Sequence, residues 1–531
     1  MTNRDTRIAR KYHQATKHSP LSIRQDPHYL DWSNHPASFK IYPDLNPIPL
    51  LAEVPKPAVP ALETVKGSAV TRDGQIIPDL RQIAYLLYYS GGITKKLVYP
   101  GQTIYFRAAA CAGALYPVEM YLVCANLSGL EAGVYHFSPA DYALRRLRAG
   151  DYRGFLSRAC GDEAGIQKAP AVLVYTAITW RSSWKYRARS YRYHFWDAGT
   201  IAANTLAACA ALGLPARVVM GFVDQDLDHL LGIDGRDEKS LALLPVGWAD
   251  AIPEPPGAVP QLDLRVEPLS AQWREYPLID EMHQASHLED AQKVETWRSA
   301  DIQLKSPPSP AGEYRLDPLE VRDYPGKSLE EVILKRGSAR QFERQAITFG
   351  ELSTMLDLAT RGFPSDWSTP QGALFNDLYL NVHAVDGLPS GAYRYRPGDD
   401  HLDLIQPGDF RQYSAHLCLD QLLGGTASAT LFYIADLEAI LERYGNRGYR
   451  LVQMEAGITG GMLYLSAYAL GRGATGLTFF DDEVTRFFLP EYAREEAIFV
   501  TALGVPASPL GNRGKLIRMR PGDRVGQREQ S

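Results

Sequence analysis

The chain has 531 residues, of which 45% are hydrophobic and 22% charged, and a formal net charge of −5. That length exceeds one ordinary core and implies two or three domains, while an acidic balance with no basic run long enough to track phosphates excludes nucleic-acid binding as a main role. No apolar run approaches the roughly 18 residues that a membrane helix needs, and the polar, basic opening from Met1 to His18 has no apolar signal core.

The five cysteines (Cys111, Cys124, Cys160, Cys209, Cys418) form no CxxC pair and no Cys/His cluster at ligand spacing. A cytoplasmic protein without disulfides, bound metal or membrane contact is expected.

Residues 1–65 read as an N-terminal arm and wrapping segment, with Leu30-Asp31-Trp32-Ser33-Asn34-His35-Pro36 and Phe39-Lys40-Ile41-Tyr42-Pro43 inside it. A first α+β domain is expected over 66–252. It contains the small-residue loop Arg107-Ala108-Ala109-Ala110-Cys111-Ala112-Gly113-Ala114-Leu115-Tyr116-Pro117-Val118-Glu119. Such a loop lets the backbone approach a flat ligand, and a plain tight turn into a strand gives the same pattern. Residues 119–125 and 171–177 read as strands. Lys185-Tyr186 sits in a basic, aromatic stretch with Trp180, Trp184, Arg187, Arg189, Tyr191, Arg192, Tyr193 and Trp196, which serves as a substrate wall or as core. An alanine-rich helix over 197–212 ends at Gly213, and 241–246 is a closing strand.

Residues 253–324 read as a linker around Ser306-Pro307-Pro308-Ser309-Pro310. A second domain over 325–508 opens with the helix and turn Ser328 to Phe342, containing Arg336-Gly337-Ser338-Ala339-Arg340-Gln341-Phe342. Taken alone, that turn is also a helix C-terminus decorated with cations. A helix over 455–470 ends at Gly471, Ala474-Thr475-Gly476-Leu477-Thr478-Phe479-Phe480-Asp481-Asp482 follows, and 498–503 is a strand. A tail over 509–531 carries Lys515, Arg518 and Arg520.

The two domains are copies of each other. Lys185-Tyr186 falls on Arg443-Tyr444, an offset of 258 (443 − 185), and Arg189 and Arg192 fall on Arg447 and Arg450. The register carries on to Ala198-Gly199 on Ala456-Gly457, Leu212-Gly213 on Leu470-Gly471, and Asp224 on Asp482. Upstream, Gly133, Tyr135, Pro139 and Asp141 fall on Gly391, Tyr393, Pro397 and Asp399. A period this long is a duplicated domain rather than a solenoid repeat.

The Arg-x-Ser-x-Arg-x-Phe turn resembles the opening motif of the nitroreductase superfamily, and the 107–119 loop resembles the Pro-Ser-Ala-Gly-Ala-Leu-Tyr-Pro-x-Glu signature of its SagB/ThcOx-type branch, which contains azoline dehydrogenases. Ala110-Cys111 stands where the branch commonly has Pro-Ser. The resemblance implies an α+β fold of two fused nitroreductase-like domains forming an intramolecular pseudo-dimer, with FMN at the interface. It implies that Arg336 pairs with the FMN phosphate, that Ser338 bonds nearby, and that Arg340 faces the pyrimidine edge, where a cation favours the reduced, anionic ring. It further implies that Arg107, Ala110, Cys111, Ala112, Gly113 and Tyr116 line the flavin, that the backbone of Gly476 or Leu477 meets N5, and that Lys515 and Arg518 reach the phosphate. Lys185-Tyr186 resembles the branch's catalytic pair, in which an amine or phenol removes a proton as hydride leaves the neighbouring carbon.

Each copy lacks what the other keeps. The first has no Arg-x-Ser-x-Arg turn, and the second keeps only Gly372-Ala373-Leu374-Phe375-Asn376 of the loop, Arg443 in place of Lys185, and Val218-Val219 as the first copy's counterpart of its glycine turn. One composite FMN site and one degenerate site are expected. The implied activity is hydride transfer between a substrate carbon and the flavin, on a peptide-derived or small heterocycle. The alternatives are an NAD(P)H-dependent nitro or quinone reductase, with NAD(P)H as a transient co-substrate because no Gly-x-Gly-x-x-Gly follows a strand, and a non-catalytic flavin-binding subunit among biosynthetic partner proteins.

Overall fold

A computed structural model describes residues 2–65, 74–251, 253–254, 258–299, 314–367, 374–395, 400–491, 494–507 and 515–525. Two antiparallel sheets of one design organise them. The first runs, in spatial order, Pro47–Pro49, Ala143–Ala149, Gly133–Ser138, Val118–Cys124, Ala171–Ile178, Glu238–Val246. The second runs Phe342–Glu343, Glu495–Pro506, Ala429–Asp436, Asp377–Val382, Gly391–Tyr395, His401–Pro407, Tyr314–Arg315, with Gly473–Gly476 also paired to Glu495–Pro506.

Their irregularities coincide as well. The ladder shifts between Val134 and Tyr135 and again between Ala392 and Tyr393. It shifts between Tyr175 and Thr176 and again between Tyr433 and Ile434. Each pair is separated by the same 258 positions read from the sequence. A bulge bends its strand and re-aims the side chains beyond it, so both copies present their strand ends alike.

Two long helices, Ser190–Ala211 and Arg447–Ala469, pack together at the centre, and nearly every residue on both is buried. A helix enclosed on all sides has no polar face to show. They cross at Gly199 and Gly457, one position in the two copies. A Cβ on Gly199 would lie 2.6 Å from the Gly457 carbonyl carbon, and one on Gly457 would lie 2.6 Å from the Trp196 carbonyl oxygen. Both helices start about two turns earlier than the alanine-rich stretches suggested. Their first turns look solvated in sequence, yet the arginines there are buried and paired across the molecule.

Arg447 and Arg450 of the second copy each hold Asp224 of the first at 2.7 Å. Arg189 and Arg192 of the first hold Asp481 of the second at 2.9 and 2.6 Å. All six side chains are buried. This is the reciprocal contact of a two-fold interface, made within one chain. The residue that takes the part of Asp224 is Asp481 rather than the Asp482 of the constant offset. Each aspartate opens a helix, Asp224–Leu231 or Asp481–Phe488, where the helix dipole favours a carboxylate.

The ends of the chain cross over. The N-terminal helix Arg7–Ala15 lies on the second copy, with Arg10 paired to Glu438 and Lys17 to Asp482 and Glu496. The strand Lys515–Arg518 joins the first copy's hairpin by pairing with Ile93–Tyr99. The stretch read as linker also contributes structure. Pro277–Ala285 and Ala291–Arg298 are helices with Ile279, Met282, Val294 and Trp297 in the core. The proline-rich segment 306–310, Gly372-Ala373, Pro397 and Asp399 lie outside the described residues. Among the described residues no helix is long and apolar enough to cross a membrane.

Candidate active site

The cavity that gathers the sequence candidates lies between the two copies, with a volume of about 290 Å³. The first copy supplies Ala110, Cys111, Ala112, Gly113, Lys185 and Tyr186. The second supplies Ser338, Arg340, Gly476 and Leu477.

The 107–116 loop leaves the strand Gln102–Arg107 and enters Val118–Cys124. Gly113, Ala114 and Tyr116 all have positive φ, at 62°, 56° and 49°. Left-handed backbone costs a non-glycine residue roughly 1–2 kcal/mol, so the loop must be held from outside. Thr200 donates to the Ala110 carbonyl at 2.6 Å. The Asp197 carboxylate accepts the Ala112 N–H at 2.9 Å and the Cys111 thiol at 3.1 Å. Cys111 Sγ in turn accepts the Tyr116 N–H at 3.0 Å, so the residue that departs from the branch signature is built into the loop's own bonding. At Gly113 a Cβ would fall 2.6 Å from the Tyr186 hydroxyl and 3.2 Å from Lys185 Nζ. Glycine there lets the two candidate catalytic groups reach the loop.

Arg336 braces the same loop from the second copy. Its guanidinium donates to the carbonyls of Ala108 at 2.8 Å, Ala109 at 3.1 Å and Arg107 at 3.2 Å. It is buried and is not part of the cavity wall, and in the structure its contacts are to the loop backbone. Arg107 and Tyr116 likewise stand behind the wall. The Arg107 guanidinium donates to the carbonyls of Val118 and Ser38 and lies 5.2 Å from the Tyr116 ring centre.

Lys185 and Tyr186 end the helix Thr179–Tyr186. Buried Glu119, the last residue of the loop motif, pairs with Arg181 of this helix and with His136 at 2.7 Å. The motif's glutamate therefore fixes the helix that carries the pair. Burial first, and the Arg340 charge second, push the Lys185 ammonium below its usual range, while burial raises the Tyr186 phenol well above its own. Burial also pushes Asp197 up to about 7. Glu455, its counterpart in the second copy, is likewise pushed up to about 7 by burial and accepts the backbone N–H groups of Phe375 and Asn376. A carboxylate on the long helix that ties down the loop is thus common to both copies, and in this role Asp197 is an anchor.

On the second copy's wall, Ala339 N–H donates to the Ala474 carbonyl and joins the Arg-x-Ser-x-Arg turn to the strand Gly473–Gly476. Gly476 N–H donates to the Tyr464 hydroxyl and Leu477 N–H to the Val500 carbonyl, so both amides considered for N5 have protein acceptors here. Thr478 Oγ1, beside them in the wall, is buried with no hydrogen-bond partner among the described residues. Lys515 and Arg518 do not line the cavity. Arg518 pairs in register with Lys95, whose ammonium donates to the carbonyls of Lys335 and Arg336. Burial, then Arg336 and Arg518, lower Lys95 to about 7. These cations collect behind the turn.

Of the aromatic residues, Tyr193 and Trp196 line the cavity. Trp180, Trp184 and Tyr191 do not: they pack against Trp273, Trp32 and Tyr12 respectively. Asp197, Thr200, Gln421, Tyr464, Thr475, Thr478 and Phe499 complete the lining and were not singled out in the sequence. The carboxylate shared at 197 and 455 was the readable signal for the first.

The pseudo-symmetric position is filled by protein. Val218 N–H donates to the Pro364 carbonyl, and Asp366 accepts the N–H groups of Met220 and Gly221 at 2.9 and 2.8 Å. Trp297 lies 5.5 Å from the ring of Tyr444, the counterpart of Tyr186, and the Tyr444 hydroxyl donates to the Trp367 carbonyl. Beside Leu206, Phe363 and Pro364 a cavity of about 50 Å³ is left. A cluster of Asp224, His283 and His287 is close enough to hold a metal, but both Asp224 oxygens are taken by Arg447 and Arg450.

The sequence profile of the nitroreductase family matches residues 80–248 and 333–510, well over half of the chain. The chain belongs to the nitroreductase family. Its two matched segments are the two sheet-and-helix copies, which makes it an α+β protein of two fused nitroreductase domains and an oxidoreductase by family. A candidate nitroreductase of Methanocaldococcus jannaschii, MJ1384, is 30% identical over 168 residues, 32% of this chain and 80% of that protein. The microcin B17-processing protein McbC of Escherichia coli is 31% identical over 135 residues, 24% of this chain and 50% of McbC. A crystal structure described as a candidate nitroreductase from Anabaena variabilis is 26% identical, with a TM-score of 0.74 over 94% of this chain and 99% of that one. The tandem arrangement of this nitroreductase-family chain therefore recurs along the whole length of a solved structure.

Proposed function

We propose that this nitroreductase-family protein binds one FMN per chain in the composite cavity and dehydrogenates a peptide-derived or small heterocycle, of the azoline-to-azole type. The observation that carries the reading is the meeting, in one cavity of about 290 Å³, of Lys185 and Tyr186 with Ser338, Arg340 and Gly476. The residues present fit a flat, anionic, hydrogen-bonding group. Small residues at 110–113 leave room for a ring system, Arg340 and Lys185 have no ion-pair partner among the described residues, and Thr478 Oγ1 lacks a partner. FMN bound there would accept the hydride.

The protein supplies the rest. Lys185, held at the helix end by the Arg181–Glu119 pair, takes the substrate proton as a neutral amine, and its lowered pKa raises the neutral fraction. Tyr186 shares that position. Arg340 places positive charge beside the cavity, where it favours a ring that gains negative charge. Tyr193, Trp196 and Phe499 give the cavity an aromatic side. A peptide substrate is supported by the likeness to McbC and, at 27% identity over 150 residues, to the trifolitoxin-processing protein TfxB of Rhizobium leguminosarum. Such a protein would work beside the partners that present the peptide.

The likeness to proteins named as nitroreductases favours a second reading, NAD(P)H-driven reduction of nitro compounds or quinones. The two separate in one experiment. FMN is expected on mass spectrometry of the released cofactor, at one per chain. Bound flavin should then be bleached anaerobically by an azoline peptide faster than by NAD(P)H. FAD, a ratio near two, or no flavin after FMN addition would refute the proposal, and bleaching by NAD(P)H but not by the azoline peptide, reversed by adding a nitroaromatic, would favour the second reading.

A further inference from the structure

Tyr464 belongs to no motif, yet it stands in the cavity wall from the second long helix, 3% exposed. Its hydroxyl accepts the Gly476 N–H at 2.7 Å and lies 3.2 Å from the Ser338 hydroxyl. A phenol oxygen that accepts from a backbone N–H keeps its own proton for another acceptor. If that proton goes to Ser338, the serine proton is released; if Ser338 donates, the tyrosine proton is released. Either way the pair holds one O–H hydrogen for which the described residues offer no acceptor, and both residues line the cavity. The Arg336 guanidinium, 5.9 Å from the ring centre, helps to fix the phenol. The counterpart of Tyr464 in the first copy is Leu206, so the device exists on one side of the pseudo-dimer only.

Resting on the FMN reading above, we infer that Tyr464 is a cofactor-binding residue: with Ser338 it presents a neutral hydrogen-bond donor to a carbonyl oxygen or ring nitrogen of the isoalloxazine. The Gly476 N–H orients the phenol, and the donor supplements the charge of Arg340 on the same wall. A neutral donor stays in place when the ring gains charge, so it tunes the reduced state as well as the oxidised one.

Titration of the full-length apo-protein with FMN, followed by flavin fluorescence, tests this. Tyr464→Phe is expected to bind FMN roughly 3–10-fold more weakly, as for the loss of one neutral hydrogen bond, with shifted absorption bands of the bound flavin. Ser338→Ala is expected to lose less, since Tyr464 keeps its proton. Equal affinity in Tyr464→Phe would overturn the inference, as would a loss of affinity with the absorption bands of the bound flavin unchanged. Failure of the wild-type protein to take up FMN would instead overturn the flavin reading on which it rests.

Discussion

Lys185 and Tyr186 are the groups whose chemistry depends most on their surroundings. Because burial and Arg340 lower the Lys185 pKa, turnover should rise with pH through a value below the ordinary 10.5 and fall about tenfold per unit beneath it, since only the neutral amine accepts a proton. Lys185→Ala and Tyr186→Phe should slow substrate oxidation by about 10²–10⁴-fold with FMN still bound; unchanged turnover and an unmoved pH profile in both would return the pair to structure. Arg336 makes a different claim. Its guanidinium spans three consecutive carbonyls of a strained loop, and each hydrogen bond from a charged group is worth about 1.5–3 kcal/mol. Arg336→Ala should lower the thermal midpoint of the apo-protein and weaken FMN binding by about tenfold or more. A normal titration by that variant would show that the loop holds its shape alone.

Elements rather than single groups decide how the two copies meet. The helix crossing at Gly199 and Gly457 leaves no room for a Cβ on either side, and forcing extra atoms into such a contact costs roughly 1–3 kcal/mol. Gly457→Ala should therefore destabilise the protein, while Gly326→Ala, where nothing lies within 4 Å of the added carbon, should not; equal unfolding midpoints for the two variants would argue that the helices slide freely. The pairing Ala198-Gly199 on Ala456-Gly457 was legible in the sequence as a repeat, and so were the strands at 171 and 498, because apolar runs and constant spacing are local signals. The helix onsets were not. Arg189, Arg192, Arg447 and Arg450 look solvated until the aspartates that neutralise them arrive from the other copy. Trp297 was hidden for a similar reason, lying in a largely polar stretch and finding its place against Tyr444 and Arg447 of the second copy. Within the site, motif residues were readable and Tyr464 was not, since a lone tyrosine on a buried helix carries no local mark.

At the scale of the molecule the two copies are one folding unit. Chains covering 1–255 and 325–531 alone would lose the buried Arg–Asp pairs, both crossed termini and half of the cavity wall, and should be insoluble or flavin-free; a stable half that holds FMN would contradict the composite site. Asp224 and Asp481 are held far below the ordinary carboxylate range, against burial, by Arg447 with Arg450 and by Arg189 with Arg192. Groups with depressed folded pKa values stabilise the native state above their unfolded value, and that stability disappears as pH falls through the folded one. Unfolding midpoints should therefore hold above about pH 4 and drop steeply below it, less so in Asp224→Asn, whose starting stability is already reduced. The filled second position has a consequence for inheritance. In a homodimer every substitution is written on both faces at once, so a tryptophan that plugs one cavity would plug its mate. Joining the copies in one chain breaks that tie: Trp297 and Leu206 can close one side while Lys185 and Tyr464 are kept on the other, and each side becomes free to answer to a different selection.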